Sequence, residues 1–472
     1  MMKTTSDRRC CKYNIRRMEN NVNDKRAPQG DREYNVDKAF RNYLGASVLT
    51  VATTQVANIV DASIVGNLIG SEALAAVNVC NPLLQAIFAI SCLFVASGTM
   101  LTGMAIGKGD RAMANSQFSF SLILAVVIGL TIIAVGSACF GGISQLLCCS
   151  DTLQPLVDDY LWVTLLSAVP LLMMLTLHQY VTVDGSPRII TRAVVAGNLV
   201  NLGLDVVFIK YCEWGIAGAA WATFVMYVVC VLMVLPHFRK QGTLRLCLPR
   251  RTHLQIGRLL TLGLPLFFAT VLLSVQLTVN NHVASKWLGD AGLVALAVCM
   301  QMLLFSMIIL TGTLRTIQPI GSILRGQDNH RGMRQLMFLA YRFMIMCLIV
   351  YVVAIVMLPT QISHLLGVTD DHVMPVVLAA LPPFSLNILM QVLMYCLLPV
   401  YQLYDHKYLA MFLSIGQTLL PMVGFWLLHA GWIGFFYGQL SVAVVILACT
   451  TAIRHHDKRL SWILLIPKEE KK

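Results

Sequence analysis

Charge is what this 472-residue chain has least of. Asp, Glu, Lys and Arg make up 12% of it, against 57% hydrophobic residues. The lean charge content excludes a disordered chain, which needs the opposite balance. Metal and enzyme signatures are missing as well. Fourteen cysteines are present, but none has CxxC or Cys/His metal spacing, and most sit in apolar runs as small hydrophobes. There is no nucleophile elbow, no HExxH and no ATP-binding signature. The glycine-rich "GKGD" at 107–110 lacks the GxxxxGK[ST] spacing and a preceding strand, so it reads as a tight turn. Neither an enzyme, a metal cofactor nor an ATP-driven machine is expected.

What the chain has instead is a dozen apolar runs long enough to match the hydrocarbon thickness of a bilayer. They fall at 42–66, 73–106, 115–147, 156–182, 189–210, 215–236, 256–287, 292–324, 335–360, 372–400, 408–430 and 432–454, with the first helix starting near Arg41. Only helices satisfy backbone groups at that depth within one segment, so the expected fold is an all-α polytopic membrane protein. Residues 1–38 are polar and lack the short apolar core of a cleavable signal peptide.

The net charge of +12 is laid out for a membrane rather than for nucleic acid. Lys108 and Arg111, Arg188 and Arg192, Arg239 to Arg258, Arg325 to Arg334, and Lys407 mark alternate loops, while the intervening loops carry no Lys or Arg. By the positive-inside tendency the basic loops and both termini are expected to be cytoplasmic, which requires an even number of spans. The expected organisation is a tail at 1–41, a six-helix lobe at 42–236, a basic linker at 237–255, a second six-helix lobe at 256–454 and a tail at 455–472.

The two halves repeat. "LIGSEALAAVNVC" at 68–80 aligns with "WLGDAGLVALAVC" at 287–299, and the same offset of 219 carries Gly107 to Gly326. Lobes repeated in one orientation, related by a pseudo-twofold axis along the membrane normal, are a transporter architecture with a central cavity between them.

Of the 23 acidic residues, all but Asp61 and Asp205 lie in the tails or in and beside loops. A carboxylate inside a bilayer costs roughly 2.5–3.5 kcal/mol on insertion scales, so such a residue points to function. Asp61 lies five residues before Gly66 and Asp205 five before Lys210, which places both about 8 Å below the same surface. Asn201 lies one turn before Asp205, and Thr223 enters from the same side on the next helix. Two carboxylates, an amide and a hydroxyl suit a hard cation, and a carboxylate pair would equally hold a proton. Asp61 maps onto Asn280 of the second half, so the acids belong to the first half alone.

The ordered set "DASIVGNLIGSEALAAV", "GKGDRAMAN", "DGSPR", "NLVNLGLDVVFI" and "GIAGAAWATF" resembles the multidrug and toxic compound extrusion (MATE) family over roughly residues 42–454. The spacing of Asp61, Asn201, Asp205 and Thr223 is most similar to the prokaryotic DinF-like branch. There the matching residues are associated with a sodium or proton site in the N-terminal lobe. The resemblance departs on the fourth helix, which offers Thr176, His178 and Gln179 in place of the family's frequent Asn. It departs again on the seventh, where Gln276, Asn280 and Asn281 replace the acid of NorM-like members and disfavour a second cation site.

Candidates for the substrate cavity are His178, Gln276, Asn280, Asn281 and Arg315, the last ten residues from Arg325 and too deep to snorkel. The expected activity is ion-coupled antiport of small organic compounds, cationic or amphipathic, by a monomer in a bacterial inner membrane, with no nucleic-acid partner. Two other readings make different demands. A lipid-linked oligosaccharide flippase would need a strongly cationic cavity, and a membrane-embedded transferase would need an acid cluster at one face.

Overall fold

The structure, a computed structural model, describes residues 35–147, 153–240, 243–250, 254–366, 372–415 and 444. Thirteen α-helices follow one another, with no strand among the described residues. They are α1 (Val36–Leu68), α2 (Ser71–Ser91), α3 (Ser97–Lys108), α4 (Arg111–Ala138), α5 (Phe140–Leu147), α6 (Gln154–Leu166), α7 (Ala168–Val183), α8 (Pro187–Val206), α9 (Gly215–Lys240), α10 (Ile256–Gly326), α11 (His330–Met357), α12 (Pro359–Leu365) and α13 (Met374–Leu403). Among the described residues, seven helical segments are long and apolar enough to cross a membrane, and the bent pair α6–α7 makes an eighth. The chain is an all-α, multi-pass membrane protein. The tails and nearly all of the two last expected spans lie outside the described residues, although 407–415 already forms helix where the eleventh should begin.

Several expected boundaries are corrected, each for a local reason. The first helix begins at Val36 rather than near Arg41, because Asn35 caps it by accepting from Lys38 N at 3.1 Å. The third span ends at Ala138 and α5 continues after a break at Cys139. The fourth is two helices bent by 48° at Ser167. Pro170 has no N–H to offer Leu166 O, and its ring crowds that carbonyl. Past Met357 the ninth likewise gives way to α12, which starts on Pro359. Within the second span, α2 joins α3 through a π-helical turn, Cys92–Ala96, against which Gly263 packs so closely that a side chain there would overlap Leu93 O.

The 71-residue run α10 covers the seventh and eighth expected spans without a break in helical pairing. It cannot be one straight rod. Arg258 near its start donates to Asp405 at 2.7 and 3.0 Å, Leu262 O accepts from Gln402, and Arg325 near its end donates to Leu403 O at 3.3 Å. Sixty-seven helical residues would separate Arg258 from Arg325 by roughly 100 Å, yet both reach the same turn. The run therefore folds back on itself and serves as two antiparallel spans.

The repeat is visible at the end of the molecule that carries the basic loops. Asp110 caps α4 through Met113 N at 2.9 Å, and its equivalent Asn329 caps α11 through Gly332 N at 2.8 Å. The preceding residues, Gly109 (φ 75°) and Asp328 (φ 52°), share the left-handed conformation. Between them Gly107 and Gly326 face each other: a methyl on Gly107 would overlap Ile323 O and one on Gly326 would overlap Met104 O. Met104 and Ile323 are themselves one repeat apart, so this contact is reciprocal about the pseudo-twofold axis. Here α3 and α10 seal the basic end. Farther in, the lobes still touch where Gly312 meets Val48.

Candidate functional site

The first lobe is assembled around a polar seam between α1 and α8. On α8, Thr191, Asn198 and Asp205 recur every seven residues, two turns apart, and so line one face. Each meets α1 in register. Thr191 Oγ1 lies 3.0 Å from Thr50 Oγ1 and donates to Ala46 O, Asn198 Nδ2 donates to Thr53 O at 3.4 Å, and the carboxyl group of Asp205 lies within hydrogen-bonding reach of Asp61. The rungs rise from the basic end toward the opposite surface, and the carboxylates are the last.

The structure thus brings together all four residues singled out for a cation. Asn201 Nδ2 reaches Thr223 Oγ1 of α9 at 3.5 Å, one turn below Asp205. Asp205 is fully buried. Both of its oxygens and Oδ1 of Asp61 have no hydrogen-bond donor among the described residues. Two carboxylates within hydrogen-bonding reach, with three such oxygens, repel each other unless a proton or a cation lies between them. Tyr160 of α6 stands close enough to feel the charge of both acids, and Tyr227 of α9 that of Asp61. Nothing in the sequence marks these phenols, which sit in ordinary apolar surroundings and are placed by helix packing alone.

The seam opens onto a cavity of about 580 Å³. Asp61, Asn201, Thr223, Tyr160 and Tyr227 line it toward one end, and Phe88, Leu171, Met174 and Leu175 give it apolar walls. His178 and Arg315 line it too, and Arg315 is the one lining residue from the second half among the described residues. Of the other expected cavity residues, the side chains of Gln276, Asn280 and Asn281 lie outside the described ones. With one arginine and no lysine, the described lining is not the strongly cationic chamber that a pyrophosphate-linked lipid requires. No group of three or more His, Cys, Asp or Glu side chains is placed to hold a metal among the described residues.

Below the first lobe, Asp184 forms a second buried polar cluster. It accepts from Thr243 N and Oγ1 and lies 2.9 Å from His237 Nε2. The linker then runs along α4, with Arg245 N donating to Asn115 and Cys247 N to Ser119, each at 2.9 Å.

A family model described as MatE matches residues 46–207, the segment that carries both Asp61 and Asp205. Among curated proteins, the multidrug export protein MepA of Staphylococcus haemolyticus (strain JCSC1435) is 23% identical over 292 residues, and MepA of Staphylococcus aureus (strain MRSA252) is 22% identical over 291. These alignments cover 61% and 60% of the chain, and the chain spans 64% of the length of each relative. Among solved structures, one described as the outward-facing conformation of a multidrug resistance MATE family transporter superposes with a TM-score of 0.81 at 19% identity, covering 92% of this chain and 98% of the other. A transporter of the same superfamily from Pyrococcus furiosus, described as having a binding pocket of reversed polarity, superposes at 0.80 with 20% identity over the same shares. At these identities the solved structures establish the fold.

Proposed function

We propose, from the match of residues 46–207 to the MatE family model and the likeness to multidrug export relatives, that the chain is a MATE-family secondary antiporter that exports small organic compounds, cationic or amphipathic, in exchange for inward Na⁺ or H⁺. The observation that carries the coupling is the contact between Asp61 and Asp205, which supports placing the chain in the DinF-like branch. A cation arriving from the surface opposite the basic loops neutralises the pair. It binds best where Asn201 and Thr223 can join it, and it thereby favours one packing of α1 against α8 over another. Because a ligand shifts an equilibrium only by its differential affinity for the two states, exchange follows if the ion-bound packing holds substrate less tightly. The basic loops and both termini face the cytoplasm in this reading, and the membrane is the bacterial inner membrane. The reciprocal Gly107–Gly326 seal supports a closed cytoplasmic side.

The test is efflux of a fluorescent organic cation from proteoliposomes under imposed Na⁺ or pH gradients, for the unmodified chain and for Asp61→Asn. One gradient should drive efflux and the substitution should abolish it. Equal efflux by both proteins would make Asp61 structural.

A further inference from the structure

Arg315 is the group that the ion-coupling reading leaves without a task. It is half-buried on the second arm of α10 and faces the cavity. Among the described residues it has no ion pair and no hydrogen bond. The second half cannot supply a carboxylate at its depth either: between residues 256 and 456 the only acids are Asp290, Asp328, Asp370, Asp371 and Asp405. Asp328 and Asp405 sit at the basic-end turns, where they already pair with Arg325 and Arg258, and the others lie 25 or more residues along the chain from Arg315.

Asp61 cannot reach it. Gly312 touches Val48, Arg315 lies three residues farther toward the basic end, and Asp61 lies thirteen from Val48 in the other direction. Sixteen residues of helical rise put roughly 24 Å between the two levels. Beside Arg315, within range of its charge, stands His178, whose Nε2 is buried with no hydrogen-bond partner among the described residues. A guanidinium fork and an imidazole Nε2, both facing one chamber and neither given a hydrogen-bond partner among the described residues, match a carboxylate, to which arginine can donate two parallel hydrogen bonds.

We propose that Arg315, with His178 beside it, is the anion-recognising end of the cavity, so that the organic substrates this protein takes are amphipathic molecules bearing a carboxylate. The apolar walls between Arg315 and the Asp61–Asp205 pair hold the aromatic or aliphatic body, and a positive group on the same molecule points toward the acids. The proposal rests on the export reading above and narrows its substrate class.

A matched pair of dyes tests it: tetramethylrhodamine, which carries a free carboxylate, and its methyl ester, which does not. Binding to the purified full-length protein is read by fluorescence anisotropy. The unmodified protein should bind the acid at least about 10-fold more tightly than the ester, the scale of a charge-assisted hydrogen bond released from water. Arg315→Gln should erase that preference while leaving ester binding in place, which also shows that the variant is folded, and Arg315→Lys should retain part of it. If Arg315→Gln binds neither dye, Arg315→Lys decides, and ester binding without discrimination there overturns the proposal. Equal binding of both dyes by the unmodified protein overturns it while leaving the export reading intact, whereas no binding of either dye and no efflux removes both. Competition by a soluble short-chain anionic phospholipid that displaces the acid alone would assign the site to a lipid headgroup and overturn the small-molecule claim.

Discussion

The two halves of this protein match where they touch and differ around the cavity. At the basic end, Gly107 and Gly326, Met104 and Ile323, and Asp110 and Asn329 occupy equivalent places and perform the same packing or capping tasks. About seven turns of helix away the equivalence fails: Asp61 stands where the second half has Asn280, and the buried Asp205 has no acidic counterpart. The contribution of the second half to the described cavity is a positive charge, Arg315. A repeat related by a twofold axis is obliged to agree only on the axis, where each residue packs against its own equivalent. Off the axis the halves are free to diverge, and here one has become acidic and the other basic.

The most severe way to break the comparison is to remove the acid that distinguishes the first half. Asp205→Asn should reduce ion-driven efflux to the level of empty liposomes, because an amide can neither take up a coupling proton nor give a cation its charge. The folded state should survive, since the substitution removes carboxylate repulsion from a buried pair, and thermal unfolding of the purified protein checks that. Retained gradient-driven transport would show that the acid pair is structural and that the halves differ for some other reason.

Much of this division was legible in the sequence. The spans were, because an apolar run of bilayer length has few alternatives, and Asp61 and Asp205 stood out because charge is so scarce. The Gly107–Gly326 equivalence followed from the offset of 219, although that they touch required the structure. The heptad Thr191, Asn198, Asp205 was there to be read, and Pro170 was available to explain the bend at Ser167. Less was available for Tyr160 and Tyr227, or for the linker, whose backbone N–H groups find Asp184, Asn115 and Ser119 through tertiary folding alone. Polar contacts made by a backbone leave no residue-type signal.

Next in size is the buried anchor of that linker. Asp184 and His237 are 1% and 2% exposed in their side chains, and Asp184 holds Thr243 as well. Asp184→Ala leaves Thr243 N and His237 without their acceptor, and each buried donor left unsatisfied in this way costs about 1–3 kcal/mol. The expected result is a clear fall in melting temperature of the detergent-solubilised protein together with faster proteolysis of the linker at Arg245 and Arg250. An unchanged melting temperature and unchanged cleavage would mean that the first lobe does not depend on the strap.

The axis itself is tested by a smaller change. Gly107→Ala and Gly326→Ala each put a methyl into a backbone carbonyl of the other half, an overpacking of about 1–3 kcal/mol that acts when the basic end is closed. A cysteine at Ser322, buried in this contact, should then be labelled faster by a water-soluble maleimide from the basic side, by roughly the same factor in the two variants. Gly203→Ala, where a methyl meets nothing within 4 Å, is the control. Unequal effects of the two axial substitutions would break the reciprocity.

The smallest effect sharpens the comparison most, because it concerns the equivalent turn of the second half. Asp405 follows α13 as Asp184 follows α7, and each holds one end of the linker region, His237 in the first case and Arg258 in the second. The difference is solvent: Asp405 and Arg258 are 50% and 32% exposed in their side chains. Two bonds of 2.7 and 3.0 Å give the pair good geometry, but water competes for both partners, and exposed ion pairs contribute about 0.2–1 kcal/mol. Asp405→Ala should therefore lower the melting temperature far less than Asp184→Ala, and its effect should shrink further with added salt, which screens exposed charges and spares buried ones. Were the two substitutions to cost the same and respond alike to salt, burial would not be what separates the two ends, and the linker would be held as tightly to the second lobe as to the first.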